Sequence, residues 1–145
     1  MIDNGAETEK GLNTFINAYN PVLVACLKNS KDSLEVLIKN GASLDVKSKD
    51  GVTPLIFAAA NNGVDVMKYL LEVNPKLDLD ASADSTYNAL LFAALNGAKE
   101  AVEFLISKGA DIEYETKSGK TALMLATSKN KKEIVEILKK NGAKK

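Results

Sequence analysis

A short acidic stretch in the middle of the chain has the residue types of a calcium loop. Oxygen-bearing side chains stand at what would be positions 1, 3, 5 and 7 of such a loop, namely Asp78, Asp80, Ser82 and Asp84. A calcium loop also needs glycine at position 6 and a bidentate glutamate at position 12, where this sequence has Ala83 and Ala89. The sequence therefore predicts a lengthened, solvated finger without a metal, and calcium binding is the alternative.

Histidine is absent and cysteine occurs once, which removes several catalytic chemistries. Without histidine the chain has no Ser-His-Asp or Cys-His mechanism and no histidine-containing metal motif. Cys26 cannot form an internal disulfide, which favours a reducing compartment, and we predict that it is a small buried apolar residue. We predict no catalytic residue and no cofactor. An enzyme that uses carboxylates and lysines, with a metal at the acidic stretch, is the alternative.

Composition and charge favour a protein that binds neither nucleic acid nor membrane. The 145 residues are 46% hydrophobic and 26% charged, which suits one domain with a modest core. The 19 basic residues balance the 19 acidic ones, so no net charge attracts the chain to nucleic acid or to an anionic membrane. All of the basic residues are lysine, and the chain thus lacks arginine, the preferred partner of phosphate groups and guanine edges. The chain shows no apolar signal core and no run of about 18 apolar residues. We therefore expect a cytoplasmic monomer.

Four segments of similar pattern follow one another along the chain. They begin at Asn20, Thr53, Asn88 and Thr121, so their starts are 33, 35 and 33 residues apart. Aligned columns contain Val22, Leu55, Leu90 and Leu123; Ala25, Ala58, Ala93 and Ala126; and Leu37, Leu70, Leu105 and Leu138. A period of this length is typical of stacked units that cannot bury their apolar face alone. We number them units 1 to 4, at about 20–49, 50–83, 84–117 and 118–145.

Each unit is predicted to form two short helices. The first opens on Thr or Asn, whose side chain can accept from the free amides of the opening turn, and Pro21 and Pro54 suit the next position. Residues that tolerate the left-handed conformation then end this helix, and they are Asn29, Asn62 with Gly63, Gly97 and Asn130. The second helix has apolar residues at helical spacing. Small residues in the alanine column let the helices approach closely, and a larger one would cost about 1–3 kcal/mol.

The repeat resembles those of the ankyrin family. The matching stretches are DGVTPLIFAA, SGKTALMLA and LISKGADIE, against a family period of about 33 residues and the pattern T-P-L-H-x-A. The resemblance implies an all-α ankyrin-repeat solenoid of stacked helix-turn-helix units with short hairpin-like loops, here called fingers. The histidine of the pattern is replaced throughout, by Leu23, Ile56, Leu91 and Met124. The hydrogen bonds that it usually makes must therefore be missing or replaced.

The two ends of the repeat array are predicted to be capped. Residues 1–19 form no full repeat, but their apolar residues Leu12, Phe15, Ile16 and Tyr19 lie at helical spacing, which predicts a capping helix over unit 1. At the other end Lys139 occupies a column that is apolar in the earlier units. A charge there predicts that unit 4 is the C-terminal cap.

The resemblance also implies a binding surface, because fingers and adjoining first helices of this family line a concave face that holds partner proteins. Carried over by column, the expected partner-binding residues are Lys49, Asp50, Val52, Asn61, Ser85, Tyr87, Leu95, Asn96, Tyr114, Lys117 and Lys120. Aromatic side chains are typical interface anchors. For Tyr87 the alternative is packing against the neighbouring finger.

The sequence thus predicts a binding module rather than an enzyme. Its partner would be a protein or peptide held on the concave face, and its role that of a small regulator or inhibitor. The alternatives are the metal-binding or carboxylate-based enzyme described above and a designed ankyrin scaffold without a native partner. The irregular linker around Pro75 favours a natural chain, since designed repeats are idealised.

Overall fold

A computed structural model describes residues 20–48, 51–82 and 87–144. This part of the chain contains eight α-helices and no strand. Their order is α1 (Pro21–Leu27), α2 (Lys31–Lys39), α3 (Pro54–Ala60), α4 (Val64–Val73), α5 (Ala89–Asn96), α6 (Lys99–Ser107), α7 (Ala122–Ser128) and α8 (Lys132–Lys140). Each unit therefore contributes one pair of helices, as predicted. The capping helix expected within 1–19 lies outside the described residues.

The first helix of every unit is capped by the side chain that the sequence predicted. Asn20 accepts from the amide of Val22 at 2.9 Å, and Asn88 accepts from that of Leu91 at 3.0 Å. Thr53 and Thr121 accept from the third residue beyond them, each at 3.3 Å. These bonds satisfy amides that the helix itself leaves free, so they fix where each unit begins.

The turn from the first helix to the second also follows the prediction. The residue that ends the turn has a positive φ in every unit: 54° at Asn29, 58° at Asn62, 73° at Gly97 and 58° at Asn130. Asparagine and glycine are the residues that adopt this left-handed conformation at least cost. The two helices of a unit are thereby folded back against each other.

The units stack in register, with the first helices forming one row and the second helices another. Contacts between successive first helices are more extensive than those between successive second helices. We call the side of the stack formed by the first helices and the fingers the inner face. The alanine column is buried at the row of first helices, with Ala58, Ala93 and Ala126 inaccessible to solvent. The close packing that was predicted for these small residues is confirmed.

Apolar packing takes the place of the histidine that the ankyrin pattern has on the first helix. Leu23, Ile56 and Leu91 are at most 1% exposed, and the last two belong to the continuous hydrophobic core. Met124, in the same column of unit 4, is 44% exposed. The column is thus buried in units 1 to 3, each of which has a following unit stacked beside it.

At the base of each finger, the described residues pair across it. In the first, the Ser48 amide donates to the Val52 carbonyl at 2.9 Å, and in the third the Thr116 amide donates to the Lys120 carbonyl at 3.0 Å. The middle finger is closed by an antiparallel bridge between Ser82 and Asn88. The pairing of Ser48 with Val52 places positions 47 and 53 opposite each other, the same separation as 82 and 88.

The two additional residues of unit 2 therefore lie before the finger, and the prediction of a lengthened finger is wrong. Helix α4 has ten residues, whereas the other second helices have nine. Pro75 cannot continue the helix, so the chain leaves it at Asn74, and the linker that follows is one residue longer than its counterparts. The extra length is absorbed between α4 and Asp80.

Candidate functional site

The inner face of the stack exposes an apolar surface on the first helices. Phe92, Leu95 and Asn96 of α5 lie at positions i, i+3 and i+4 and so share one side of the helix. Phe92 and Leu95 are half-buried, with part of each side chain packed on the core. Tyr87, which precedes α5, packs edge-on against the Phe92 ring, with the ring centroids 5.4 Å apart and the planes at 74°.

The Tyr87–Phe92 contact is made within unit 3, so both alternatives for Tyr87, a partner contact and packing against the neighbouring finger, stay predictions. The Tyr87 ring is supported by the first helix of its own unit, at a geometry that aromatic pairs favour. Tyr87 is only half-buried, so part of the residue remains open to solvent. A supported, partly exposed aromatic side chain loses little conformational entropy when a partner covers it.

Sequence reasoning missed the two phenylalanines of this surface. Phe57 stands in the same column as Phe92 and is also half-buried, one helical turn before Ala60 and Asn61. Unit 1 continues the surface with Leu27, which is 42% exposed. Phe57 and Phe92 stand three residues before Ala60 and Leu95, and this helical spacing could have identified both phenylalanines. We call Leu27, Phe57, Ala60, Tyr87, Phe92 and Leu95 the apolar strip.

Two of the predicted site residues are asparagines that bond to the backbone. Asn61 caps α3, and its Nδ2 donates to the carbonyl of Phe57 at 3.0 Å. Asn96 ends α5, and its Nδ2 donates across units to the carbonyl of Ala60 at 3.1 Å. Both side chains are thereby oriented, with the Oδ1 atom still able to accept.

The predicted site residues in and near the fingers differ between units in their burial. Val52 is half-buried against the core, and Lys120, in the same column of unit 4, is exposed. Lys117 is exposed as well, whereas Tyr114 lies in the linker before the finger and packs partly against the core. Lys49, Asp50 and Ser85 lie outside the described residues.

The character of the inner face changes from unit 3 to unit 4. Ser128 and Lys129 stand in the columns of Leu95 and Asn96, and both are exposed. Among the described residues, the ion pairs involve other lysines, Lys31 with Glu35 and Lys99 with Glu133 at 3.8 Å. In unit 1 the exposed Lys28 stands in the column of Asn96 and Lys129. The inner face therefore carries one lysine in unit 1, is apolar over units 2 and 3, and is basic over unit 4.

Two carboxylates of the acidic stretch, those of Asp78 and Asp80, accept hydrogen bonds from the backbone. Asp78 accepts from the amide of Asp80 at 3.0 Å, and Asp80 accepts from the amide of Asp111, in the next unit, at 2.9 Å. Within the ranges that the structure describes, no three Asp, Glu or Cys side chains come together as metal ligands would. The Asp80 bond instead ties the linker of unit 2 to that of unit 3.

Cys26 lies in the core of unit 1, and the prediction of a small buried apolar residue is confirmed. Its side chain is inaccessible to solvent, and burial raises the pKa of its thiol to about 12. Because the thiolate is the reactive form, this thiol is inert while the unit stays closed. None of the described helices is long and apolar enough to cross a membrane.

Four stacked pairs of short helices in the described part of the chain define a helical repeat fold. The chain belongs to the ankyrin repeat family: a sequence model described as ankyrin repeats (3 copies) matches residues 1–81 and 76–145. Ankyrin repeats are generally protein–protein interaction modules, and the predicted family and all-α solenoid are both confirmed.

Relatives with ankyrin repeats occur in viruses, bacteria and animals. The chain is 29% identical over 128 residues to the ankyrin repeat protein OPG189 of vaccinia virus (strain Copenhagen), covering 87% of this chain and 22% of that protein. It is 33% identical over 107 residues to the ankyrin repeat and KH domain-containing protein mask of Drosophila melanogaster, covering 74% of this chain and 3% of that protein. An ankyrin repeat protein of Rickettsia felis is 36% identical over 81 residues, 56% of this chain and 27% of that protein. The chain thus spans about a quarter or less of these relatives.

Proposed function

We propose that this chain binds a protein or peptide through the apolar strip and has no catalytic activity of its own. The observation that carries the proposal is the Tyr87–Phe92 pair, a half-exposed aromatic contact on the inner face of a stacked repeat. Aromatic residues are enriched among the few interface residues that dominate binding energy. Family membership supports a protein partner over a small substrate.

Rigid presentation is the mechanism. All residues of the strip except Tyr87 belong to the capped first helices. The small side chains of the alanine column let these helices pack closely between neighbouring units. A surface that is already ordered loses little entropy on binding, so a few anchors can set the affinity. Such a module suits a regulator or inhibitor that occupies its partner in a cytoplasmic compartment, where the lone cysteine would stay reduced.

A pull-down with matched charge substitutions tests the proposal. The test variant carries Tyr87→Glu and Leu95→Glu on the strip, and lysate from the organism in which the chain occurs supplies the partner. The control is Val73→Glu, because Val73 is a 43% exposed apolar residue on the row of second helices. Circular dichroism first establishes that all variants fold.

We expect wild type and the Val73→Glu control to retain the same partner and the strip variant to lose it. A partner that all three retain would move the binding site off the strip. A partner lost by the control as well would show that added charge, rather than its location, weakens binding.

A further inference from the structure

Two columns of the inner face are apolar over three units and polar in unit 4, whereas the column of Asn61 and Asn96 has an exposed lysine at each end, Lys28 in unit 1 and Lys129 in unit 4. Along the first helices one column reads Leu27, Ala60, Leu95 and Ser128, and from the fingers another reads Val52, Tyr87 and Lys120. Lys120 and Lys129 are exposed, and neither takes part in the ion pairs seen among the described residues. An occupant that runs along the stack therefore meets apolar contacts with one lysine in unit 1, apolar contacts in units 2 and 3, and two lysines in unit 4.

The stacking of the units gives these columns a fixed spacing. Packed helices lie roughly 8–10 Å apart, so equivalent side chains of successive units repeat at that distance. The bond from Asn96 to the Ala60 carbonyl shows that the last turns of α5 and α3 are in register. A bound chain must present its own side chains at the same interval if it is to use more than one unit.

An extended chain in the polyproline II conformation has this interval. It rises about 3.1 Å per residue with three residues per turn, so every third side chain points the same way about 9 Å further along. A β-strand fails because its side chains alternate, and every third residue faces away. An α-helix can also match, but only at every seventh residue, about 10.5 Å along its axis.

The asparagine column distinguishes the extended chain from the helix. Asn61 and Asn96, which directly follow Ala60 and Leu95 of the apolar strip in the sequence, each donate from Nδ2 to a carbonyl, and the Oδ1 of each remains able to accept. A polyproline II segment has backbone amides without internal partners, whereas the amides along a helix are already bonded. The two acceptors thus complement an extended backbone.

We infer that the partner segment is an extended peptide with an apolar side chain at every third position and a carboxylate over unit 4. This inference rests on the proposed function and names the kind of partner that the strip accepts. The apolar side chains lie on units 1 to 3, and the carboxylate pairs with Lys120 and Lys129. Four units span roughly 30 Å, so the segment has about ten residues.

A random library of displayed peptides, roughly 12 residues long so that they cover the four units, tests the inference. Wild type, Leu95→Glu on the strip and the pair Lys120→Glu with Lys129→Glu each select from it. The matched control for the lysines is Lys68→Glu with Lys140→Glu, two exposed residues on the second helices. Binding of the selected peptides is then measured by fluorescence anisotropy.

Wild type and the Lys68/Lys140 control should both enrich peptides with apolar residues at i, i+3 and i+6 and an acidic residue one step beyond. Replacing that acid by its amide should weaken binding to wild type about tenfold and should strengthen binding to the Lys120/Lys129 variant, where the two glutamates repel the acid. Leu95→Glu should abolish the selection.

Peptides with heptad spacing that become helical on binding, or peptides without an acidic preference, would overturn the inference. If such peptides still lose binding to Leu95→Glu, the proposed function stands and only the extended acidic partner is wrong. If no peptide is enriched over a bare support, or if Leu95→Glu binds as wild type does, both are wrong.

Discussion

The junction between units 2 and 3 and the junction between units 1 and 2 bury equivalent columns but differ in their polar bonds. At the second junction, Asn62 Oδ1 accepts from the Ala101 amide at 2.8 Å and its Nδ2 donates to Glu100 at 2.7 Å. Asn96 donates to the Ala60 carbonyl, and Asp80 accepts from the Asp111 amide at 2.9 Å. Four hydrogen bonds thus cross from unit 2 to unit 3.

None of these four bonds has a counterpart among the described residues at the first junction. Asn29 has the position and the positive φ of Asn62, but it makes no bond to α4. The Nδ2 of Asn61 turns to its own helix, at the Phe57 carbonyl. Asp45 is exposed, and in the linker of unit 2 the Lys76 amide donates to Asn74 Oδ1 at 3.2 Å.

A cavity of about 350 Å³ lies between the linkers at this first junction. It is lined chiefly by Leu44, Val46, Pro54, Leu55, Leu70 and Leu77. The stability of a repeat array is close to a sum of unit terms and nearest-neighbour terms. Junctions with equivalent apolar columns therefore need not be equally stable. We infer that unit 2 is bound less firmly to unit 1 than to unit 3.

The largest expected difference comes from replacing the two equivalent asparagines by glycine, which keeps the left-handed backbone. Asn62→Gly should lower the free energy of unfolding by about 1–2 kcal/mol more than Asn29→Gly, because only Asn62 caps the start of a neighbouring helix. Chemical denaturation measures both values. Equal losses would mean that the junctions do not differ through these side chains.

The same pair of variants has a pH dependence whose sign follows from Glu100. The hydrogen bond from Asn62 is the main cause that holds the pKa of Glu100 below its ordinary 4.5. A carboxylate with a lowered pKa stabilises the fold above its ordinary pKa, and this contribution is lost as the pH falls through the lowered value. The difference between Asn62→Gly and Asn29→Gly should therefore shrink below pH 4.5, while the part due to the Ala101 amide persists.

Thiol labelling sharpens the comparison at the level of local opening. Cys26 shares its column with Ala94 of unit 3, and both are fully buried. Under native conditions Cys26 should react with a thiol reagent about tenfold faster than the thiol of a Cys26→Ala, Ala94→Cys variant, a difference of about 1.4 kcal/mol in opening. The added sulfur at position 94 favours opening there, so it biases against this result. Equal or faster labelling at position 94 would contradict it.

The linker carboxylates should show a smaller difference. Asp80→Ala removes the bond to the Asp111 amide and should cost about 1 kcal/mol, whereas Asp45→Ala should lie within about 0.5 kcal/mol of wild type. Glu113 provides a second instance, because it accepts from the Lys144 amide of unit 4 at 2.8 Å. Thermal unfolding at neutral pH measures the stability of Asp80→Ala, Asp45→Ala and Glu113→Ala. A loss of stability in Asp45→Ala as large as that in Asp80→Ala would refute the difference between the two junctions.

The smallest expected effect is a gain at Gly63. Its backbone, with φ −87° and ψ 69°, is nearly that of Ala98, its equivalent in unit 3, so alanine fits without strain. A Cβ there would stand 2.7 Å from Asn29 Oδ1, and the flexible amide would be pushed away. Gly63→Ala should stabilise the chain by about 0.5 kcal/mol through the unfolded state. Ala98→Gly is the matched reverse change, and a loss of stability at Gly63→Ala would contradict the expectation.

Local and periodic features were predictable from the sequence, and contacts between units were not. The caps at Asn20 and Thr53 and the buried alanine column follow from residue type and the 33-residue period. Asn29 and Asn62 are the same residue at the same position, yet only one bonds to the next unit. That outcome depends on side-chain orientation against a neighbouring helix, which spacing along the chain does not encode.

The candidate site was predicted in the same uneven way. The fingers and the ends of the first helices were assigned by column, which gave Tyr87 and Leu95 but passed over Phe92, one turn earlier. The position of the two additional residues was missed as well. Counting alone could not show that a longer α4 and its linker take up the extra length, because helix ends depend on where the chain can turn.

The absorbed insertion in unit 2 has a consequence for how such chains diverge. One additional residue became helix and another became linker, and Asp80 then arrived where Glu113 stands in unit 3. The change in length was thus cancelled before the chain reached the neighbouring unit. Such proteins can therefore gain or lose residues between α4 and Asp80 without compensating mutations elsewhere. Each unit can then change in length independently of its neighbours.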